Sequence, residues 1–520
     1  MSRRAPALSS PSAITLHSPR VGRPWCVATD RFVHRLFAPV DVASIVAFRI
    51  AFGLIMLWEV YRYVDHGWIA QYYVNPRFNF TYVGFEWVKP WPGSGMYLHF
   101  LGLGALALCI VVGLWYRVAT ALFFLGFTYV FLLEKAHYLN HFYFISLLSF
   151  ALIFVPAHRA LSFDAADHPE RHTPTAPAWA LWLLRAQLAI VYLFGGVAKL
   201  NGDWLRGEPM RSWLAFRTDF PLIGRWFTEE WMVYSICYGG LLFDLLIVPL
   251  LLWRRTRPFA FVAAILFHVM NDQLFAIGIF PWLALAATLL YFAPDYPRRL
   301  IGRLPPFAPR IDPRPTPRGD RIDHAPPAPA TGLRPVQRAI VAFLAIFLGV
   351  QALIPLRHHV IPGDVAWTEE GHRFSWRMKL RDKRGEVRFF ATNPVRGATW
   401  EVEPRHYLTS LQVRKMATQP DMILQFSHYL AEQFRADGHE AIEIRAQAVV
   451  SLNGRAPRPM IDPTVDLAAE THRITPQPWI LPLTTPLTAG KKRSTPAIHP
   501  QPVANMHARR RQVRPRRRRV

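Results

Sequence analysis

The sequence predicts a polytopic α-helical membrane protein of about nine transmembrane helices, followed by a C-terminal extramembrane α+β, β-rich domain. Three observations carry this. Hydrophobic residues make up 52% of the 520-residue chain, yet nearly all the long apolar runs lie within 42–355. Both ends are polar and rich in Pro and Arg, so the apolar residues are not shared among several soluble cores. Nine runs approach the ~20 apolar residues that a helix needs to cross a bilayer.

Those runs fall at 42–60, 96–115, 118–134, 141–157, 178–199, 233–253, 258–275, 277–294 and 337–355. The seventh and eighth carry polar residues and share a short turn. The chain divides accordingly into a cytoplasmic N-terminal segment (1–40), a transmembrane domain (41–356), an extracytoplasmic β-rich domain (357–483) and a basic tail (484–520), with both ends expected to be unfolded. Six arginines precede residue 42, and "RRTR" at 254–257 and the Arg-rich stretch 298–338 fall on the same side if the N-terminus is cytoplasmic. The excess of cations on that side fits the positive-inside rule and places everything after 356 outside. Residues 1–20 lack the apolar core of a signal peptide, so the first span is expected to act as its own insertion signal.

In the C-terminal part, "HRFSWRMKLRD" and "GEVRFFATN" alternate polar and apolar residues around "DKRG" and predict a hairpin. Residues 408–438 predict one or two amphipathic helices ending at Gly438, and "EAIEIRAQAVVSLNG" predicts a strand closed by an Asn-Gly turn. The formal charge of +25 is concentrated in 298–338 and in "RRRQVRPRRRRV" at 509–520. On a polytopic chain this basic tail suits anionic lipid, and no nucleic-acid partner is expected. The three cysteines, Cys26, Cys109 and Cys237, have neither disulfide nor zinc spacing.

An ionisable group within a span costs several kcal/mol unless it is paired, which makes it a candidate for function. Lys199 ends the fifth span after Gly195 and Gly196. It reads equally as a snorkelling lysine or as a desolvated amine able to take a proton. Asn140 and His141 open the fourth span, where a helix cap with an interfacial histidine is the simpler reading. His268, Asn271, Asp272 and Gln273 crowd the end of the seventh, as in a re-entrant or cavity-lining segment. His268 and Asp272 share a helix face but have no third ligand, so no metal is expected. Arg49, in the first span, calls for an internal carboxylate, for which Asp244 is the candidate partner. Glu59 and Asp65 read as structural groups near an interface. The lysine, histidine and amide clusters converge on one outer face, and together they suit a hydrophobic, proton-donating substrate such as a quinol.

The motifs "DVASIVAFRIAFG" (41–53), "GLWYRVATALF" (113–123), "YVFLLEKAHYLNHFYF" (129–144), "GGVAKLNGDW" (195–204) and "FHVMNDQLFAIGIF" (267–280) are followed by "FSWRMK" (374–379), "VVSLNG" (449–454), "IDPTVDL" (461–467) and "PWILPL" (478–483). In this order they resemble the vitamin K-dependent γ-glutamyl carboxylases and their bacterial relatives, whose membrane part is the HTTM domain. The resemblance implies O2-driven epoxidation of a vitamin K hydroquinone (phylloquinone- or menaquinone-type), coupled to addition of CO2 at the γ-carbon of a glutamate in a protein substrate. It implies Lys199 as the base, with Ala198 in place of the family's neighbouring lysine. It further implies His141 as a catalytic group, with Asn140, His268, Asn271 and Gln273 around the quinol. Substrate contacts by His372, Phe374 and Trp376 follow from the position of "FSW".

The chain also departs from the animal members. It has no cysteine in 61–95 or 360–520 for their disulfide, and "EEGHRF" (369–374) replaces their Tyr-rich stretch. The missing disulfide and the lack of a signal peptide point to a bacterial inner membrane. The departures leave open a quinol epoxidase without glutamate carboxylation, or a non-enzymatic quinone-binding or transport protein.

Overall fold

The structure is a computed structural model that describes residues 33–302, 333–472 and 476–487. Most of the N-terminal segment 1–40, of the basic stretch 298–338 and of the tail 484–520 lies outside the described residues.

Each of the nine apolar runs is helical. The helices are α1 (Ala43–Asp65), α2 (Gly95–Val112), α3 (Tyr116–Leu133), α4 (Asn140–Phe154), α5 (Ala178–Lys199), α6 (Glu230–Leu252), α7 (Arg257–Phe275), α8 (Phe280–Tyr291) and α9 (Pro335–Leu353). Seven are long and apolar enough to cross a membrane, whereas α4 and α8 are shorter than the expected spans. The reason is visible in their packing. Phe144, Ile145, Leu148, Ala151 and Leu152 of α4, and Leu283, Ala284 and Ala287 of α8, are fully buried. Helices enclosed by other helices need not match the bilayer thickness themselves.

A two-stranded antiparallel ladder, β1 (Pro39–Asp41) with β2 (Thr175–Pro177), sits where α1 and α5 begin. The two helices therefore start at one level, and the 22 residues of α5 carry Lys199 about 33 Å away, to the opposite end. That end faces the C-terminal domain.

The C-terminal domain is a four-stranded antiparallel sheet in the order β4-β3-β5-β6, from β3 (Lys383–Asn393), β4 (Ala398–Val402), β5 (Glu443–Leu452) and β6 (Arg458–Pro459). The helices α10 (Ser410–Met416) and α11 (Pro420–Ala436) complete it. In β5, Ile444, Ala446, Ala448, Val450 and Leu452 are buried in strict alternation, the period-2 pattern of a strand with one face on a core. α11 lays Ile423, Phe426 and Leu430 against that face, and Phe426 meets Phe389 edge-on at 5.1 Å. Helices, the β5 strand and the Asn453-Gly454 turn all lie where the sequence placed them.

The expected first hairpin is absent. β3 pairs instead with β4 and β5, and residues 372–382 form no strand. Glu369, Phe374, Trp376 and Lys379 have φ of 67°, 63°, 55° and 52°, a left-handed conformation that costs L-residues about 1–2 kcal/mol each. Packing holds it there. Trp376 is fully buried within the hydrophobic core of the helix bundle, while Ser375 and Arg377 lie buried at the domain junction. The alternation correctly marked two faces, but the apolar one enters the bundle instead of a sheet.

The exchange is mutual. Phe80, between α1 and α2, and Ala136, between α3 and α4, belong to the core of the C-terminal domain. Glu134 accepts hydrogen bonds from Asn79, from the Ala136 and Phe80 amides and from Gln412. Lys135 and Arg373 both pair with Asp421, at 2.8 and 2.7 Å. Burial alone would push the Asp421 carboxyl up, yet Arg373 and Lys135 hold it well below the usual carboxylate range.

Candidate active site

Lys199 closes α5, and its ammonium is buried and ion-paired with Asp244 of α6. It also donates to the Gly195 carbonyl at 3.2 Å and lies 5.4 Å from the centre of the Trp204 ring. A snorkelling lysine would reach water, and this one does not. The glycines explain how α5 and α6 come so close. A Cβ on Gly196 would stand 2.6 Å from Leu245 Cδ2, and one on Gly195 would stand 3.0 Å from Asp244 Oδ2.

Asp244 therefore does not serve Arg49, contrary to the sequence-based pairing. Arg49 lies near the start of α1, at the other end of the bundle, and donates to the carbonyls of Ala157 (2.9 Å), Val111 (3.2 Å) and Leu161 (2.5 Å). It satisfies the Val111 carbonyl in the last turn of α2, which a helix leaves without an intrahelical donor, and the Ala157 and Leu161 carbonyls in the loop after α4. A guanidinium with its five donors fits that task as well as it fits a carboxylate.

Tyr192, Gly195 and Lys199 recur at helical spacing and share one face of α5. The Tyr192 hydroxyl is 2.7 Å from His268 Nε2, and both residues are buried. Among the described residues, His268 Nδ1 has no hydrogen-bond partner. His268 and His141 flank the Phe280 ring at 5.9 and 6.2 Å, so two histidines from different helices share one aromatic wall. Phe243, beside Asp244, stacks on Phe267 at 3.9 Å and extends that wall.

Segment 372–378 closes this region from the C-terminal domain. Trp376 stacks on Tyr143 at 5.0 Å, and its indole N–H has no hydrogen-bond partner among the described residues. Phe374 meets Tyr143 and Tyr138 at 4.9 and 5.4 Å. The Phe374 amide donates to the Tyr138 hydroxyl (2.6 Å), which donates to Asn140 Oδ1 (3.0 Å). Asn140 thus fixes Tyr138. His372 is buried and accepts from Arg381 Nε at 3.2 Å; burial, then the Arg377 and Arg373 charges, push its imidazole well below the ordinary value.

The other two expected quinol contacts follow His268 on α7. Asn271 donates back to the Phe267 carbonyl of its own helix at 2.8 Å, and Gln273 is exposed. Sequence reasoning missed Tyr192, whose spacing from Lys199 was the available signal. It also missed Arg62, which pairs with Glu59 at 2.6 Å and lies under Gly278.

The arrangement offers a buried amine beside a carboxylate, two buried N–H or N positions without partners, and aromatic walls. Such a site can bind a flat apolar molecule bearing hydroxyl groups and move a proton from it without water. Comparison with known proteins agrees with this chemistry. No solved structure matches the chain. Residues 37–296 match the HTTM domain family, and residues 336–486 match the family described as "Vitamin K-dependent gamma-carboxylase, lumenal domain". With both parts in order along most of its length, the chain belongs to the vitamin K-dependent gamma-carboxylase family.

Proposed function

We propose that the protein is a vitamin K-dependent γ-glutamyl carboxylase: it epoxidises a vitamin K hydroquinone with O2 and adds CO2 to the γ-carbon of a protein glutamate. The observation that carries this reading is the water-excluded Lys199–Asp244 pair at the domain-facing end of a chain matching both family domains. The residues fit a hydroquinone. Phe243, Phe267 and Phe280 supply apolar faces, and the unpartnered His268 Nδ1 and Trp376 Nε1 supply polar contacts for its oxygens. Ligand sites of this kind are mostly apolar with few placed polar groups.

A glutamate γ-C–H is too weak an acid for any side chain to deprotonate. Oxidation of the hydroquinone by O2 supplies the missing driving force when the cosubstrate is bound. Lys199 starts the reaction by taking a phenolic proton at Nζ. Asp244 takes the ammonium proton beforehand, leaving a neutral amine beside a neutral acid, and the ammonium formed from the phenolic proton is balanced by the quinol oxyanion. Tyr192 holds His268, Asn140 holds Tyr138, and His141 borders the ring wall. Phe374 and Trp376 cap the enclosure and exclude water, which protects a strong base from being quenched. Arginine placement supports a cytoplasmic N-terminus and a C-terminal domain on the far side of a bacterial inner membrane.

The test is purified protein in nanodiscs with reduced vitamin K, O2, labelled bicarbonate and a glutamate peptide. Epoxide and label in the peptide are expected, and Lys199→Ala abolishes both, with partial rescue by a small amine. Undiminished epoxidation by Lys199→Ala would overturn the base assignment. One observation favours epoxidation without carboxylation. Glu369, in the stretch that departs from the animal pattern, pairs with Arg381 and Lys383 and so neutralises two cations that could otherwise hold a substrate carboxylate. Epoxide without label would establish that reading.

A further inference from the structure

A cavity of about 230 Å³ lies where the turn after Lys199 meets the C-terminal domain. For comparison, a cavity of roughly 150 Å³ admits benzene. One wall is the 201–206 turn, which includes Asn201, Asp203 and Arg206; the other holds Asp364, Arg377 and Arg455. Gly202 and Arg206 are exposed, so the cavity opens to water on that side.

The charges here are not all committed. Asp203 is consumed by Arg455, which donates to both of its oxygens at 2.6 and 2.7 Å, and by Asn453 at 2.8 Å. Arg455 in turn spends Nε on the Thr485 carbonyl. That leaves two arginines against one carboxylate, Asp364. Arg206 spends Nε on the Gly202 carbonyl. Arg377 is 8% exposed; among the described residues its one hydrogen-bond contact is His358 Nε2 at 3.4 Å, and its buried Nε–H has none. A buried donor without an acceptor is costly, and the natural complement of a free guanidinium fork is a carboxylate.

Both walls also lead to the proposed base. Asn201 donates to the Ala198 carbonyl at 2.8 Å, beside Lys199. Met378, next to Arg377, packs against Gly195, one turn before Lys199.

We propose that this cavity binds the side-chain carboxylate of the acceptor glutamate, with Arg377 as its main anchor and Arg206 at the mouth. The proposal rests on glutamate being the acceptor, and binding without quinol tests it separately from the reaction.

The experiment measures, in nanodiscs and without quinol, the affinity of the full chain for acetyl-Leu-Glu-Leu-amide and for its glutamine counterpart. The glutamate peptide is expected to bind at least about tenfold tighter, as a charge-assisted hydrogen bond allows. Arg377→Gln removes that preference and leaves glutamine-peptide affinity unchanged, while Arg377→Lys restores part of it. Arg206→Gln, at an exposed position that folding does not depend on, weakens the glutamate peptide about threefold, as expected of a solvent-screened contact. Equal affinity for the two peptides overturns the proposal. So does a full preference in both Gln variants, or displacement of the peptide by bicarbonate at the same concentration, which marks a small-anion site. Epoxide formation without peptide is a separate reading: its absence alongside glutamate-selective binding refutes the reaction and not the cavity.

Discussion

Removing one member of the Lys199–Asp244 pair separates charge neutralisation from proton chemistry. The two residues are 6% and 4% exposed, so water cannot replace a lost partner. In Asp244→Asn the ammonium keeps a neutral amide oxygen, the Gly195 carbonyl at 3.2 Å and the Trp204 ring at 5.4 Å. None of these carries a compensating charge, and stability falls by about 3–5 kcal/mol, the cost of breaking a buried pair. Lys199→Ala strands the carboxylate instead, at similar cost. The double variant Lys199→Met/Asp244→Leu removes both charges and fills their space with apolar atoms, so most of that loss is recovered. In a cycle closed by the single variants Lys199→Met and Asp244→Leu, losses of this size with most of them recovered in the double variant give a coupling of about 5 kcal/mol or more, above the range usual for contacting residues. Chemical unfolding in lipid nanodiscs, followed by tryptophan fluorescence, gives the four stabilities, and chromatography of the quinone gives epoxide. The expected order places wild type and the double variant above both single variants, with no epoxide from any variant lacking Lys199. Single variants as stable as wild type, or a double variant as unstable as the sum of the singles, would refute the pair. An active double variant would refute the base.

Gly196→Ala drives a methyl to 2.6 Å from Leu245 Cδ2 and 3.1 Å from the Leu245 amide nitrogen; the overpacking costs about 1–3 kcal/mol. It spreads α5 from α6 and lowers epoxidation, whereas Gly102→Ala, which meets nothing within 4 Å, changes neither stability nor rate. Trp376→Phe keeps the stack on Tyr143 and deletes the unpartnered N–H. Stability is expected to hold, while KM for the quinol rises by the roughly 1 kcal/mol of one hydrogen bond, about fivefold. His372 is held neutral by burial and by neighbouring arginines, so the unfolded chain binds a proton that the folded one refuses. Stability from this group is intact above about pH 6.5 and declines by about 1.4 kcal/mol per pH unit below it. Unfolding midpoints between pH 7.5 and 5 check this, and His372→Gln should flatten the slope by that amount.

The membrane helices were legible because burial in lipid writes a continuous apolar run, and no other feature of the chain produces one. Their lengths were less so: α4 and α8 are enclosed by protein, and hydropathy does not distinguish enclosure by protein from enclosure by lipid. Lys199, His141 and His268 were found because polar groups stand out in such runs, and the structure brings the two histidines to one ring, Phe280. The partners of those groups were not legible. Arg49 and Asp244 looked complementary as charges, yet backbone carbonyls, which every residue carries, satisfied Arg49 instead. Tyr192 drew no attention because tyrosine is common at membrane interfaces, although its spacing put it on the face of Lys199. Residues 372–382 defeated pattern reading for a related reason. Alternation reports that a segment has two faces and not what each one meets.

That segment also explains why the two family domains belong on one chain. Trp376 is fully buried among bundle residues, and Phe80 from a bundle loop is fully buried among residues of the C-terminal domain. Each domain therefore completes the other's core, and separating them would expose large aromatic surfaces on both. The contacts that hold the domains together are those that seal the Lys199 end. Phe374 rests on Tyr138 and Tyr143, Met378 packs against Gly195, and Asp421 clamps Arg373 to Lys135 just before α4. A base strong enough to abstract a carbon-bound proton survives only where water is excluded. A membrane bundle open to an aqueous compartment cannot exclude water from its own end, and the wedge from the second domain does so.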